Sequence, residues 1–175
     1  MNFDVAGPFE IKRFGQKRII NKYSLVDMCE QLEAHEPGLS TAGGCYVFAK
    51  RVGGGVLPWY VGQACKTPLA KEALNSDNRG KYNDILDNNG TPLLFVIPER
   101  TQSGKLRKRR TQPAATLDFL EEWLISVAID RNPELINSRK TAFLRNLHVT
   151  GIFNSQQGES TAASQSLSRV LWRMS

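Results

Sequence analysis

The sequence predicts an α/β chain in the broad sense: a small, mostly antiparallel three-stranded sheet flanked by helices. Three observations predict it. Residues 44–50 and 56–63 are rich in β-branched and aromatic side chains and are joined by Arg51-Val52-Gly53-Gly54-Gly55-Val56, a glycine-rich turn, so they form a hairpin. Residues 92–97 are a short run apolar on both sides, as in a well-buried third strand. Elsewhere apolar residues recur at helical spacing, as Leu25, Met28, Cys29 and Leu32, and again as Leu117, Leu120, Trp123, Leu124 and Val127.

Each element has a local reason. Residues 9–14 alternate, Gly15-Gln16 can turn and residues 18–20 can return, which predicts a small hairpin arm. Ser24 is the expected N-cap of a helix over 25–34, closed by Pro37-Gly38. Pro58 marks the second strand of the main hairpin as an edge or entry strand. A helix over 67–76 has Thr67 as cap and Pro68 at its first position, and Asp77-Asn78-Arg79-Gly80 is expected to break it, with a further turn or two over 82–86. Asn88-Asn89-Gly90 is a turn. Thr116 caps the best helix of the chain, over 117–130, and Pro133 follows its end. Residues 147–153 are read as a last strand, 155–164 as a mobile Ser-rich segment, and 167–174 as a short helix that docks by Leu167, Val170, Leu171 and Trp172.

A length of 175 residues suits one domain with arms: an N-terminal extension over 1–43, a core over 44–140 and a C-terminal extension over 141–175. Lysine and arginine number 23 against 17 acidic residues, a net charge of +6. Such a surplus favours a polyanionic partner, nucleic acid first, over a merely basic surface. Cys29, Cys45 and Cys65 form no Cys-x-x-Cys pair and no disulfide framework, which fits a reducing cytoplasm. His35 and His148 are isolated, against a zinc site. No apolar run is long enough to span a membrane, and the first residues, Met1-Asn2-Phe3-Asp4, are not expected to be a signal peptide.

The chemistry concentrates in the hairpin and the helix over 117–130. Gly44-Cys45-Tyr46 opens one strand and Tyr60-Val61-Gly62 closes the next, so two phenols can share one water or one phosphate. A phenol with a pKa near 10 is a poor base at neutral pH unless a cation or metal helps it. The ordinary reading is two aromatic residues packing the core. Glu121 falls on the border of the expected apolar stripe at about 100° per residue, whereas Glu122 points nearly opposite. Glu121 can therefore face a groove, and one carboxylate with waters and phosphate oxygens suits magnesium. Asn137, after Pro133-Glu134-Leu135-Ile136, serves either the site or a turn. Lys105, Arg107, Lys108, Arg109 and Arg110 form a basic run, read as a nucleic-acid contact or a solvated loop.

In this order the motifs resemble those of the GIY-YIG nuclease family, over roughly residues 43–140. Gly44-Cys45-Tyr46 stands where that family has Gly-Ile-Tyr, and Tyr60-Val61-Gly62 where it has Tyr-Ile-Gly. Glu121-Glu122-Trp123-Leu124-Ile125 looks like its glutamate helix, and Leu135-Ile136-Asn137 like its terminal asparagine. The resemblance implies a GIY-YIG-like fold and a Mg²⁺- or Mn²⁺-dependent endonuclease hydrolysing DNA, duplex or branched. Glu121 would hold the metal, and Tyr60, favoured over Tyr46, would activate or position the attacking water. One departure is evident. The family places an arginine about ten residues past its second tripeptide, where this chain has Pro68-Leu69-Ala70-Lys71-Glu72. Some restriction-type relatives carry a lysine there and an arginine further on, so Lys71 and Arg79 become the candidate cations, or else plain surface charges. That departure keeps open a nucleic-acid-binding module without turnover, and more distantly an interaction domain using the N-terminal helix and the Trp172 tail.

Overall fold

A computed structural model of the chain describes residues 2–87, 89–138, 141–153 and 159–172. The fold is mixed α/β, an antiparallel sheet flanked by helices, but the sheet has five strands rather than the expected three. Strands β1 (Asn2–Phe3) and β2 (Ala6–Glu10) lie along one side of the sheet; β3 (Gly44–Val52), β4 (Gly55–Ala64) and β5 (Thr91–Arg100) follow. The order is β1-β5-β3-β4, with β2 beside β1 on the same edge of β5, and every pair is antiparallel. Of the expected arm over 9–20, only the first two residues join the sheet. Phe9 and Glu10 pair with Leu94 and Leu93, leaving Phe14 and Ile19 to close a single bridge.

Helix α1 (Lys22–His35) is capped by Asn21, not by Ser24. The Asn21 amide oxygen accepts the Tyr23 N–H at 2.9 Å, and the Asn21 N–H donates to Ser24 Oγ at 3.0 Å, a reciprocal box in which Ser24 holds the third helical position. A short 3₁₀ turn, Leu39–Thr41, leads into β3. The helix expected over 67–76 is only α2 (Leu69–Ala73), and the supposed breaker opens α3 (Ser76–Leu86). Asn75 caps α3 by accepting the Asn78 N–H at 2.8 Å, and Asp77 in the first turn complements the helix dipole. Burial of Asn78, Tyr82 and Leu86, four residues apart, outweighs the roughly 1 kcal/mol cost of Gly80. Of the turn 88–90, Asn88 lies outside the described residues; Gly90 has a left-handed φ of 79°.

Helix α4 (Ala115–Arg131) starts after Ala114 with no side-chain cap, so Thr116 is not one. Its buried residues are Leu117, Ile125, Ala128 and Ile129; Trp123 and Val127, expected inside, are exposed. The stripe is rotated toward Ile125 because α4 packs on Val47 and Val61 of the sheet. Helix α5 (Thr141–Asn146) follows, and the expected strand over 147–153 is only a turn closed by a single Val149–Phe153 bridge. Helix α6 (Ala162–Leu171) forms, but Leu167, Val170, Leu171 and Trp172 are exposed rather than docked. Residues 155–158 of the Ser-rich segment and 173–174 lie outside the described residues. Among the described residues, no helix is long and apolar enough to cross a membrane.

The sheet thus has two working faces. Tyr46, Phe48, Leu94 and Val96 pack under α1, α2 and α3 in the main core, while Cys45, Val47, Val61 and Ile97 pack under α4. Tyr82 stacks on Phe48 at 3.8 Å between ring centroids, yet its buried hydroxyl has no hydrogen-bond partner. Tyr82→Phe is therefore expected to stabilise the protein by about 1 kcal/mol, read as a higher urea midpoint, because the orphaned hydroxyl is deleted and the stack kept.

Candidate active site

The hairpin places the phenols. Gly62 is the partner of Tyr46 and Tyr60 that of Phe48, so both tyrosines lie on one face, their centroids 6.3 Å apart. The glycines of the two tripeptides are required by packing. A Cβ on Gly44 would lie 2.3 Å from the Ile97 carbonyl oxygen, and one on Gly62 would lie 2.4 Å from Tyr46 Oη. Tyr46 is buried and cannot swing away, its hydroxyl accepting from Asn78 Nδ2 at 3.0 Å. Gly62→Ala should cost roughly 1–3 kcal/mol through overpacking, measured by urea unfolding.

Burial raises both phenol pKa values, that of Tyr46 well above the ordinary range. At Tyr60 burial is the larger influence, and Lys81, its Nζ 5.3 Å from the ring centroid, partly opposes it. Both phenols therefore hold their protons at neutral pH in the metal-free protein. Tyr60, half-buried and lining the cleft, can donate to a phosphoryl oxygen or position a water; Tyr46 is the buried support behind it.

A cleft of about 600 Å³ opens beside β4, between α3 and α4. Tyr46, Tyr60, Glu121 and Asn137 all line it, so four of the six candidate catalytic residues come together. Glu121 is half-buried and Glu122 exposed, as their helix phase implies. The Glu121 carboxylate accepts from Gln63 Nε2 at 3.3 Å, and the same amide donates to Asp118 at 2.6 Å, fixing two carboxylates side by side. Asn137 turns its amide onto the strand edge: Oδ1 accepts the Val61 N–H at 2.9 Å, and Nδ2 donates to the Val61 carbonyl at 2.7 Å. With Asn132 Nδ2 on the Pro58 carbonyl and the Ile136 N–H on that of Trp59, residues 132–137 cover the outer edge of β4 up to Val61. Asn137 is thus a brace at one end of the cleft.

Lys71 and Arg79 do not line the cleft, and Lys71 is exposed. The cation there is Lys81, which donates to Asp77 at 2.6 Å from one helical turn along α3; that bond raises its pKa and keeps it charged. Lys81, Asp77, Gln63, Glu72, Asp118 and Ser138 are polar lining residues that sequence reasoning missed. Asp118 had a signal, standing three residues before Glu121 on one helix face. Lys81 had none once α3 was read as broken.

The basic run divides in two. Glu99, only 1% exposed, accepts from Arg110 Nη2 at 2.6 Å and Nε at 3.1 Å, and Arg107 Nε lies 3.1 Å from the same carboxylate. Arg107 and Arg110 are therefore half-exposed and paired to a buried carboxylate that anchors the loop, whereas Lys105, Lys108 and Arg109 are exposed.

Among the described residues, no group of three or more His, Cys, Asp or Glu side chains is arranged to hold a metal by itself. Glu121 and Asp118 offer hard oxygen donors of the kind Mg²⁺ or Mn²⁺ takes while keeping waters and substrate oxygens. Comparisons with protein-family models, with curated proteins and with solved structures find no match to this chain.

Proposed function

We propose that the protein is a Mg²⁺- or Mn²⁺-dependent endonuclease of the GIY-YIG kind, hydrolysing DNA phosphodiester bonds in a reducing cytoplasm. The observation that supports this most is the single cleft that unites Tyr60, Glu121 and Lys81 beside the two tyrosine strands. A divalent ion held by Glu121, with Asp118 beside it, would supply charge neutralisation at the scissile phosphate and a more acidic water. The chain's own groups do the rest. Tyr60 Oη keeps its proton and orients the water or a phosphoryl oxygen. Lys81 offsets charge developing on the phosphate. Gln63 aims the carboxylates, and Tyr46 with Asn78 fixes the floor. Supercoiled plasmid is expected to be nicked or linearised with Mg²⁺ or Mn²⁺ and left intact with EDTA.

A second reading, a DNA-binding module without turnover, draws on one observation: the cleft's cation is a lysine tied to an aspartate, with Lys71 and Arg79 elsewhere. Salt-sensitive, metal-independent DNA binding with no cleavage in either metal would select it.

A further inference from the structure

The cleft is one end of a longer groove. Gln63, Glu72 and Asp118 line both the cleft and an adjoining depression of about 320 Å³ that carries Lys66 and Pro113. Pro113 in turn lines a notch of about 360 Å³ made by residues 107–113. The notch has no carboxylate in its wall. Glu99 holds Arg107 and Arg110 from beneath, and the loop backbone is tied down at both places: the Gly43 N–H donates to the Arg107 carbonyl at 3.0 Å, and the Arg110 N–H to that of Cys65 at 2.7 Å. Between these anchors Lys108 and Arg109 are presented to solvent. At the other end of the cleft, the Asn137 clamp on Val61 closes the edge of β4.

We propose that a nucleic-acid strand seated in the cleft leaves it in one direction, over Gln63, Asp118 and Pro113, so that its phosphates downstream of the seat rest on Lys108 and Arg109. This rests on the nuclease reading and adds to it a polarity and a second contact point. Across the middle depression Glu72 and Asp118 face the single cation Lys66, so backbone affinity is concentrated at the notch. Lys105, in the same basic run, lines a further depression with Glu36 and Gly38 that meets the notch through Arg107 and Lys108; it lies beyond the notch and away from the cleft, with the Glu36 carboxylate in the same wall, and is assigned no phosphate.

The test is binding of a labelled DNA duplex in EDTA, by fluorescence anisotropy across a salt series, for wild type, Lys108→Gln/Arg109→Gln and Lys105→Gln. Neutralising two phosphate contacts should flatten the slope of log K against log salt by about 1.8 and weaken binding about tenfold at moderate salt. Lys105→Gln should leave the slope unchanged. A photocrosslinker at position 109 should mark nucleotides on one side only of the cut mapped with Mg²⁺. A wild-type slope in the double variant, an equal loss per charge in Lys105→Gln, or crosslinks on both sides of the cut would each overturn the path while leaving the nuclease reading standing. A wild-type protein that neither binds nor cuts DNA would remove both.

Discussion

Glu121→Gln is expected to abolish plasmid cleavage, by on the order of 10³-fold or more, while leaving thermal stability and DNA affinity in EDTA unchanged. The substitution keeps the shape of the side chain and an oxygen that can accept from Gln63 Nε2, so the cleft wall persists. What it removes is the negative charge that would hold the ion. Glu122→Gln, one residue along and exposed, is the matched control and should cleave like wild type. Single-turnover rates with Mg²⁺ and Mn²⁺ decide the matter. Equal loss in both variants, or none in either, would show that the cleft is not where the ion acts. Partial recovery at raised Mn²⁺ would mark weakened binding of the metal rather than a damaged fold.

The second large effect concerns the cation. Lys81→Met should lower the single-turnover cleavage rate about 10²-fold, the scale for losing one positioned charge at a reacting phosphate. Lys71→Met and Arg79→Met should stay within about twofold, since neither side chain lines the cleft. Lys81 also bears on Tyr60, whose pKa it pulls down against burial. Removing Lys81 therefore moves the Tyr60 phenol further up and cannot expose an ionised tyrosine. Because both phenol pKa values are raised, the metal-free protein should show no ionisation of Tyr46 or Tyr60 below about pH 10 in an ultraviolet titration. The same shifts set a stability window. A folded-state pKa above the unfolded value contributes stability that is intact below about pH 10 and fades as pH rises toward the folded-state value.

What was legible in the sequence was local. The Tyr46–Tyr60 hairpin declared itself through its β-branched runs and glycine turn, and Glu121 separated from Glu122 by helix phase. The missing parts depend on distant partners. The pairing of Asn2 with Arg100 and of Phe9 with Leu94 leaves no short-range pattern, so two strands went unseen. Asp77-Asn78-Arg79-Gly80 carries the composition of a turn, and only the Asn75 cap and the burial of Tyr82 make it a helix; misreading it hid Lys81. Arg107 and Arg110 look like their neighbours Lys108 and Arg109 until a buried Glu99 claims them. The rotated stripe of α4 is a packing outcome, because a helix with Phe119, Trp123 and Val127 beside Ile125 and Ile129 has more than one apolar face to offer.

The register of the hairpin carries a consequence of its own. From the turn upward Val52 faces Gly55 and Ala49 faces Pro58, but Phe48 faces Tyr60, so Trp59 is one residue too many in β4. Without that extra residue, the ladder counted from the turn would set Tyr60 opposite Val47, on the reverse side of the sheet from Tyr46. The meeting of the two phenols is thus a matter of parity. Within the paired strands between the turn and the tyrosines, a change in length of one strand by two residues keeps them on one face, whereas a change by one parts them unless a bulge is gained or lost to restore the count. The glycine turn itself can take loops of about two to five residues without touching that count, so it is the parity of the strand segments, not of the turn, that decides whether the tyrosine pair survives.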